Sequence, residues 1–359
     1  MKKFILIGGL GLLILAGAAG AWFWYQMGKP MYTPGMLRSG KNPGTPLQPP
    51  AQSARGDYWQ VEAGIDLWHF SHGQGRPVLV VHGGPGYPFT QPLKGLEPLT
   101  EEYQFHYYDQ RGCGRSTRPF DRFESSNTYA NMQALERTLG IGAQLADIER
   151  IRRILGEEHL ILVGHSWGGF LATLYAAEFP EHVRGLVLIS PAEMLVMPPP
   201  EGGLFEAVSE RLAPERAAEF EAFMEGYLNF RDLFNHSEAE LAALNQQFGR
   251  YYMEAIDSEL DAGASGAPAQ GEPGGWMVFA QYLSLGQRHD YRPALARVDA
   301  PVLVIHGAND LQSEAASRAY LEALPNAEFS VIAEARHFSF DEQPEAFAQT
   351  VKTFLSAIK

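Results

Sequence analysis

Four short runs in this chain are apolar from end to end: Pro77-Val78-Leu79-Val80-Val81, Leu160-Ile161-Leu162-Val163, Leu186-Val187-Leu188-Ile189 and Val302-Leu303-Val304-Ile305. A strand with one wet face alternates apolar and polar residues, whereas a run without alternation must be covered on both faces. That requirement selects a mostly parallel sheet clad in helices, and the sequence between the runs supplies them. Residues 143–155 place Leu145, Ile148, Ile151 and Leu155 on one helical face, residues 167–179 follow a glycine-rich turn, and residues 343–357 repeat Phe347, Val351, Phe354 and Leu355. Strands alternating with helices over short links imply an α/β, doubly wound sheet. A content of 45% hydrophobic and 19% charged residues allows a large core and excludes a disordered, collagen-like or coiled-coil protein.

The amino terminus follows a different rule. Behind Lys2 and Lys3, residues 4–25 are uncharged and mostly apolar. A helix of that length reaches roughly 33 Å, enough to cross a hydrocarbon core of about 30 Å, and the two lysines keep their own end cytoplasmic. A cleaved secretory signal is the alternative, with small-residue sites at Ala16-Gly17-Ala18 and Ala19-Gly20-Ala21. The aromatic belt Trp22-Phe23-Trp24-Tyr25 favours the anchor. Residues 1–27 are therefore expected to be a membrane anchor or signal. Residues 28–56, with six prolines between Pro30 and Pro50, are expected to form a Pro/Gly-rich linker. The folded part would lie in the periplasm or outside the cell, tethered to the membrane, or secreted if the leader is removed.

Within the folded part, residues 57–192 and 289–359 read as two parts of one core. Residues 193–288 interrupt the strand rhythm with helical, aromatic sequence such as Phe220, Phe223, Tyr227 and Phe230. An insertion between two sheet strands predicts a helical cap over the carboxyl edge of the sheet, where ligands bind in such folds. This stretch holds sixteen carboxylates against five arginines, a balance of −11 within a chain of formal charge −14. Such a lid repels polyanions, nucleic acid included, and attracts a free α-ammonium group. Most of these carboxylates are expected to solvate exposed helix faces, and one or two turned inward would suffice for selectivity.

The chemistry concentrates where strands end. Gly164-His165-Ser166-Trp167-Gly168 follows one strand and opens a helix, the strand-turn-helix setting in which a Gly-x-Ser-x-Gly serine is exposed as a nucleophile. The Trp167 amide, at the helix start, is placed to stabilise an oxyanion. A serine hydroxyl needs a base, and the base an orienting carboxylate. Asp310 follows the run 302–305, and His337 follows a further strand-like run, 329–332, ahead of the last helix. Their strand-end positions select them, a helix N-cap and a surface histidine being the plainer alternatives. The order Ser166, Asp310, His337 is that of an α/β-hydrolase. His82-Gly83-Gly84-Pro85-Gly86 follows the run 77–81 and offers a second oxyanion donor from its backbone.

Taken with Asp109-Gln110-Arg111-Gly112-Cys113-Gly114-Arg115-Ser116 and Asp147-Ile148-Glu149-Arg150-Ile151-Arg152, these motifs resemble the proline iminopeptidase family of α/β-hydrolase serine peptidases. The resemblance covers about 60–190 and 290–359. It implies Ser166, Asp310 and His337 as the triad, Gly84 with Trp167 as the oxyanion hole, and release of N-terminal residues from small peptides without metal or cofactor. Two departures qualify it. The family's cap glutamates near a Trp-rich motif have no counterpart that aligns here, and Arg336-His337-Phe338-Ser339-Phe340 is bulkier than the family's usual Gly-His-Ser. The expected activity is thus a serine aminopeptidase on small peptides, with an esterase or lactonase on the same scaffold as one alternative and a catalytically silent binding protein as another.

Other features carry less. One cysteine, Cys113, excludes an intramolecular disulfide framework and a multi-thiolate zinc site. His69 and His72, three apart on a strand-like segment, point to opposite faces. His82 and His165 are expected to be structural hydrogen-bonders flanking the site, and Arg111 and Arg115 to tie down a loop.

Overall fold

The computed structural model describes residues 28–40, 46–53, 55–200, 203–257 and 271–358. The expected anchor or signal, residues 1–27, lies outside them. Among the described residues no helix is long and apolar enough to cross a membrane.

In chain order, β1 (Tyr58–Glu62), β2 (Ile65–Gly73), β3 (Arg76–Val81) and β4 (Tyr103–Tyr108) lead into α1 (Thr128–Leu139) and α2 (Ile141–Leu155). Then come β5 (Leu160–His165), α3 (Trp167–Glu178), β6 (Val183–Ile189) and the short β7 (Val196–Met197). The insertion contributes α4 (Leu204–Arg211), α5 (Pro214–Tyr227), α6 (Glu238–Asp257) and α7 (Trp276–Leu285). The chain closes through β8 (His289–Asp290), α8 (Arg292–Leu295), β9 (Val302–Gly307), α9 (Glu314–Ala323), β10 (Ala327–Ile332), α10 (Ser339–Glu342) and α11 (Pro344–Ala357).

Eight strands form one sheet in the order β1-β2-β4-β3-β5-β6-β9-β10. Every pair from β4 to β10 is parallel, and β1 and β2 add antiparallel pairs at one edge. The apolar runs occupy the middle, as double-sided cover requires: all residues of β5 and β9 are buried. Helix α3, with twelve residues and none exposed, is apolar nearly all round because it is packed on every side. The register sets the active edge. Val81 pairs with Gly164, His165 with Ile189, and Ile189 with Ile305, so β3, β5, β6 and β9 end at one level. The loops that leave them therefore converge.

Helices α4–α7 lie between β7 and β8 in the chain, and α4, α6 and α7 contribute residues to the wall of the cavity that Ser166 lines. Their interior is continuous with the core beneath: Phe220, Phe248, Trp276 and Phe279 belong to the same buried cluster as Val80, Val163 and Ile305. The short β7–β8 pair joins the two ends of the insertion.

The described part of the expected linker departs from a free tether. Tyr32 is fully buried and its hydroxyl donates to Glu178 Oε2 at 2.9 Å. The Gly35 and Arg38 amides donate to the same carboxylate at 2.6 and 3.0 Å, and the Met31 amide to Ser284 O at 2.9 Å. Further along, Arg150 Nε donates to Pro46 O at 3.1 Å. This strap is held by backbone donors and one buried tyrosine rather than by a repeating apolar face, so the periodicity that marks helices and strands is missing from it.

Candidate active site

Ser166 stands between β5 and α3 with φ 53° and ψ −120°, a conformation that non-glycine residues rarely adopt. Its neighbours enforce that turn. A Cβ on Gly168 would lie 2.0 Å from Val81 O, so helix α3 can leave this close to β3 only from a residue without a side chain. The Ser166 amide donates to Ile189 O at 2.9 Å, and the Ala192 amide to Ser166 O at 3.0 Å, which fastens the turn to the chain leaving β6.

Asp310 and His337, 27 residues apart, meet above the end of β9. His337 Nδ1 lies 3.0 and 3.1 Å from the two carboxylate oxygens, and Asp310 Oδ1 also accepts from the Gln312 amide at 3.0 Å. The Asp310 side chain is wholly buried. Burial pushes its pKa upward, but the charge of His337, its hydrogen bond and Ser190 outweigh that push and hold the carboxyl below the usual range. With Nδ1 engaged, Nε2 is the nitrogen of His337 left for Ser166, and both residues line one cavity. No hydrogen bond joins the two side chains among the described residues.

The 82–86 loop packs directly on the serine turn. A Cβ on Gly83 would fall 2.9 Å from Ser166 Cβ and 3.4 Å from the Trp167 nitrogen, so only a bare backbone fits there. Gly83, Gly84 and Trp167 all line the cavity. The Gly84–Pro85 bond is cis. His82 secures this loop from below: Nδ1 donates to Gly83 O at 3.0 Å, the Gln110 amide donates to Nε2 at 3.1 Å, and Gln110 Nε2 donates to His82 O at 2.8 Å. Burial lowers the pKa of His82 to about 4, so one neutral tautomer serves all these bonds. His165 Nε2 donates to His337 O at 3.0 Å and thus joins the serine turn to the histidine loop. It too is held neutral, chiefly by burial and then by the charge of His337.

The cap closes the cavity with Phe205 of α4, Phe248 and Tyr252 of α6, and Tyr282 of α7, while Phe338 completes the floor. Among the described residues that line it, Glu193 is the one carboxylate. Composition marked the insertion as acidic, yet which of its acidic residues reaches the cavity wall depends on Glu193 standing next to Ala192, whose amide is bonded to Ser166. Tyr252 is a second residue that sequence alone did not single out. Its ring meets the His337 ring edge-on at 5.7 Å.

The remaining candidates have structural partners. Arg111 is buried, with Nε and Nη2 each 2.6 Å from Asp147 and Nη2 3.1 Å from Glu62. Arg115 lies over the Trp68 ring at 4.3 Å. Cys113 is buried in its turn with its thiol pKa pushed up, chiefly by burial. His69 stacks on Trp59 at 3.8 Å, and His72 pairs with Glu97 at 2.9 Å.

Comparison with known proteins agrees with this architecture. Residues 76–344 match the family model described as alpha/beta hydrolase fold. The chain is 30% identical over 324 residues to a proline iminopeptidase of Neisseria meningitidis serogroup B, covering 83% of this chain and 92% of that one. It is 25% identical over 300 residues to a proline iminopeptidase of Heyndrickxia coagulans, covering 80% and 93%. Among solved structures, an esterase from Exiguobacterium antarcticum superposes with a TM-score of 0.58 at 18% identity, covering 84% of this chain and all of that one.

Proposed function

The chain belongs to the proline iminopeptidase family of α/β-hydrolases and is a hydrolase, and from that premise we propose that it is a serine aminopeptidase that releases the N-terminal residue of small peptides. Ser166 Oγ attacks the carbonyl carbon of the first residue while His337 Nε2 takes its proton. Asp310 keeps the Nδ1 proton in place and stabilises the imidazolium. The amides of Gly84 and Trp167 receive the oxyanion. His337 then protonates the leaving amine, and water, activated by the same imidazole, releases the acid from the acyl-enzyme. All these steps use protein groups and water.

The observation that carries the peptidase reading is Glu193. It is the one acidic residue among the described residues lining a mostly apolar cavity beside the serine, where a carboxylate turned inward would attract a cation more strongly than in bulk solvent. A substrate's α-ammonium group is such a cation, and its pairing with Glu193 would set the first peptide bond over Ser166. The test compares prolyl or alanyl arylamides with 4-nitrophenyl acetate. Glu193→Gln is expected to lower kcat/KM for the arylamides by about tenfold or more, a loss of about 1.4 kcal/mol, and to leave the ester within about twofold. The aromatic walls equally suit an apolar acyl group, which favours an esterase as the second reading. Fast ester cleavage by the wild type with no arylamide turnover would establish that reading instead. The proposed setting is a domain held at the outer face of a membrane by residues 1–27, with small peptides as partners.

A further inference from the structure

The bulky residues around His337, which set this chain apart from the Gly-His-Ser of the family it resembles, have a use in the fold. Arg336 is almost buried, its side chain 13% exposed. Its Nη1 donates to Ile256 O at 3.3 Å, in the last turn of α6, and its Nη2 lies 3.4 Å from Glu342 Oε1. The Arg336 amide donates to Glu342 Oε2 at 2.5 Å. A guanidinium suits a helix carboxyl end, where carbonyls lack partners and the helix dipole is negative. One turn before Ile256, Tyr252 sets its ring against His337. Near the middle of α6, the Tyr87 hydroxyl donates to Asn245 O, just past the oxyanion loop. Helix α6 therefore spans the cleft from the oxyanion loop to the histidine loop. It also supplies Phe248, Tyr252 and Met253 to the cavity wall.

We infer that Arg336 is a positioning residue, a latch that holds the last turn of α6, and through it the Tyr252 wall of the cleft, against the loop that carries His337. A glycine at this position offers no such hold. Asp310 fixes the imidazole itself and His165 the backbone that carries it, so the latch sets the cap wall relative to them, and its loss is felt by reactants that the wall must enclose. Misplacement of a reactant by about 1 Å is enough to cost up to 10²-fold in rate. This inference needs the serine and the histidine to act together but does not depend on the aminopeptidase reading.

The experiment measures the rate at which Ser166 is labelled by a short-chain and by a long-chain alkyl fluorophosphonate. For Arg336→Gly, long-chain labelling should slow about tenfold and short-chain labelling stay within about twofold. Arg336→Lys, which still reaches the Ile256 carbonyl, should recover most of the loss. The double variant Arg336→Gly/Tyr252→Ala should be no slower than Tyr252→Ala alone, because the latch acts through that ring. Equal slowing of both probes, no slowing of either, a lysine variant no better than glycine, or additive losses in the double variant would each overturn the latch. Should Arg336→Gly not fold, Arg336→Met keeps the buried stem and carries the same comparison. A wild type that neither probe labels would refute the serine–histidine reading itself, a result distinct from failure of the latch.

Discussion

Asp310 illustrates how two opposed effects resolve at one residue. Burial alone pushes the pKa of its carboxyl upward, yet its contact with His337 at 3.0 Å wins and the pKa falls. An acid whose pKa is lower folded than unfolded stabilises the fold above the ordinary carboxylate pKa, and that share is lost as pH falls through the folded value. For activity the role proposed for it is orientation. Asp310→Asn keeps the shape but leaves the wrong proton on the imidazole, and kcat on any substrate is expected to fall about 10⁴-fold. A loss below about tenfold in steady-state kinetics would remove Asp310 from the triad. His82 titrates with the same sign, although here burial is the cause. Its folded pKa of about 4 lies below the ordinary 6.5, so the unfolded chain takes up a proton first as pH falls. Stability should decline by up to about 3 kcal/mol between about pH 6.5 and pH 4 from this residue alone. Urea midpoints near pH 7.5 and near pH 4.5 test it: His82→Asn should be less stable at neutral pH but show a flatter decline, and an unchanged slope would contradict the assignment. The strand-end positions of Asp310 and His337 could be read from the sequence, because each is marked by an apolar run a few residues before it. The place of Glu193 on the cavity wall could not, since it depends on a hydrogen bond between Ala192 and Ser166, 26 residues apart.

Among elements, the strap shows why composition misleads. Residues 28–40 are rich in the residues that loosen a chain, yet they are fixed by a receptor some 140 residues away, the buried carboxylate at the end of α3. No local pattern announces such a site. Tyr32, Gly35 and Arg38 each donate to Glu178, so replacing one carboxylate oxygen by an amide group turns an acceptor toward donors. Glu178→Gln is expected to destabilise the fold by about 1–3 kcal/mol, read as a lower urea midpoint at unchanged slope, with kcat unaffected. An unchanged midpoint would mean that the strap adds nothing to stability. The parallel strands are the reverse case: β5 and β9 were legible because burial on both faces leaves no room for alternation, so their composition alone betrays them.

At the scale of the whole molecule, the core and the cap divide the labour of charge. The cap carries −11 of the chain's −14, and it roofs the cleft that holds Ser166 and His337. Charges spread over a lid act at a distance and concentrate cations near the mouth, whereas the proposed pairing with Glu193 would act by contact inside. The two contributions separate by salt, because exposed charges are screened over about 10 Å at 0.1 M while a partly enclosed pair is screened much less. For an alanyl arylamide with a free ammonium group, kcat/KM should fall several-fold from about 0.02 M to about 0.5 M salt, and for its N-acetylated counterpart it should stay flat. Glu193→Gln should lower the first curve at every salt concentration without removing its slope, since the net negative charge of the rest of the cap remains. If that single substitution flattened the curve, one residue would account for the whole attraction, and the acidic character of the lid would serve solubility alone.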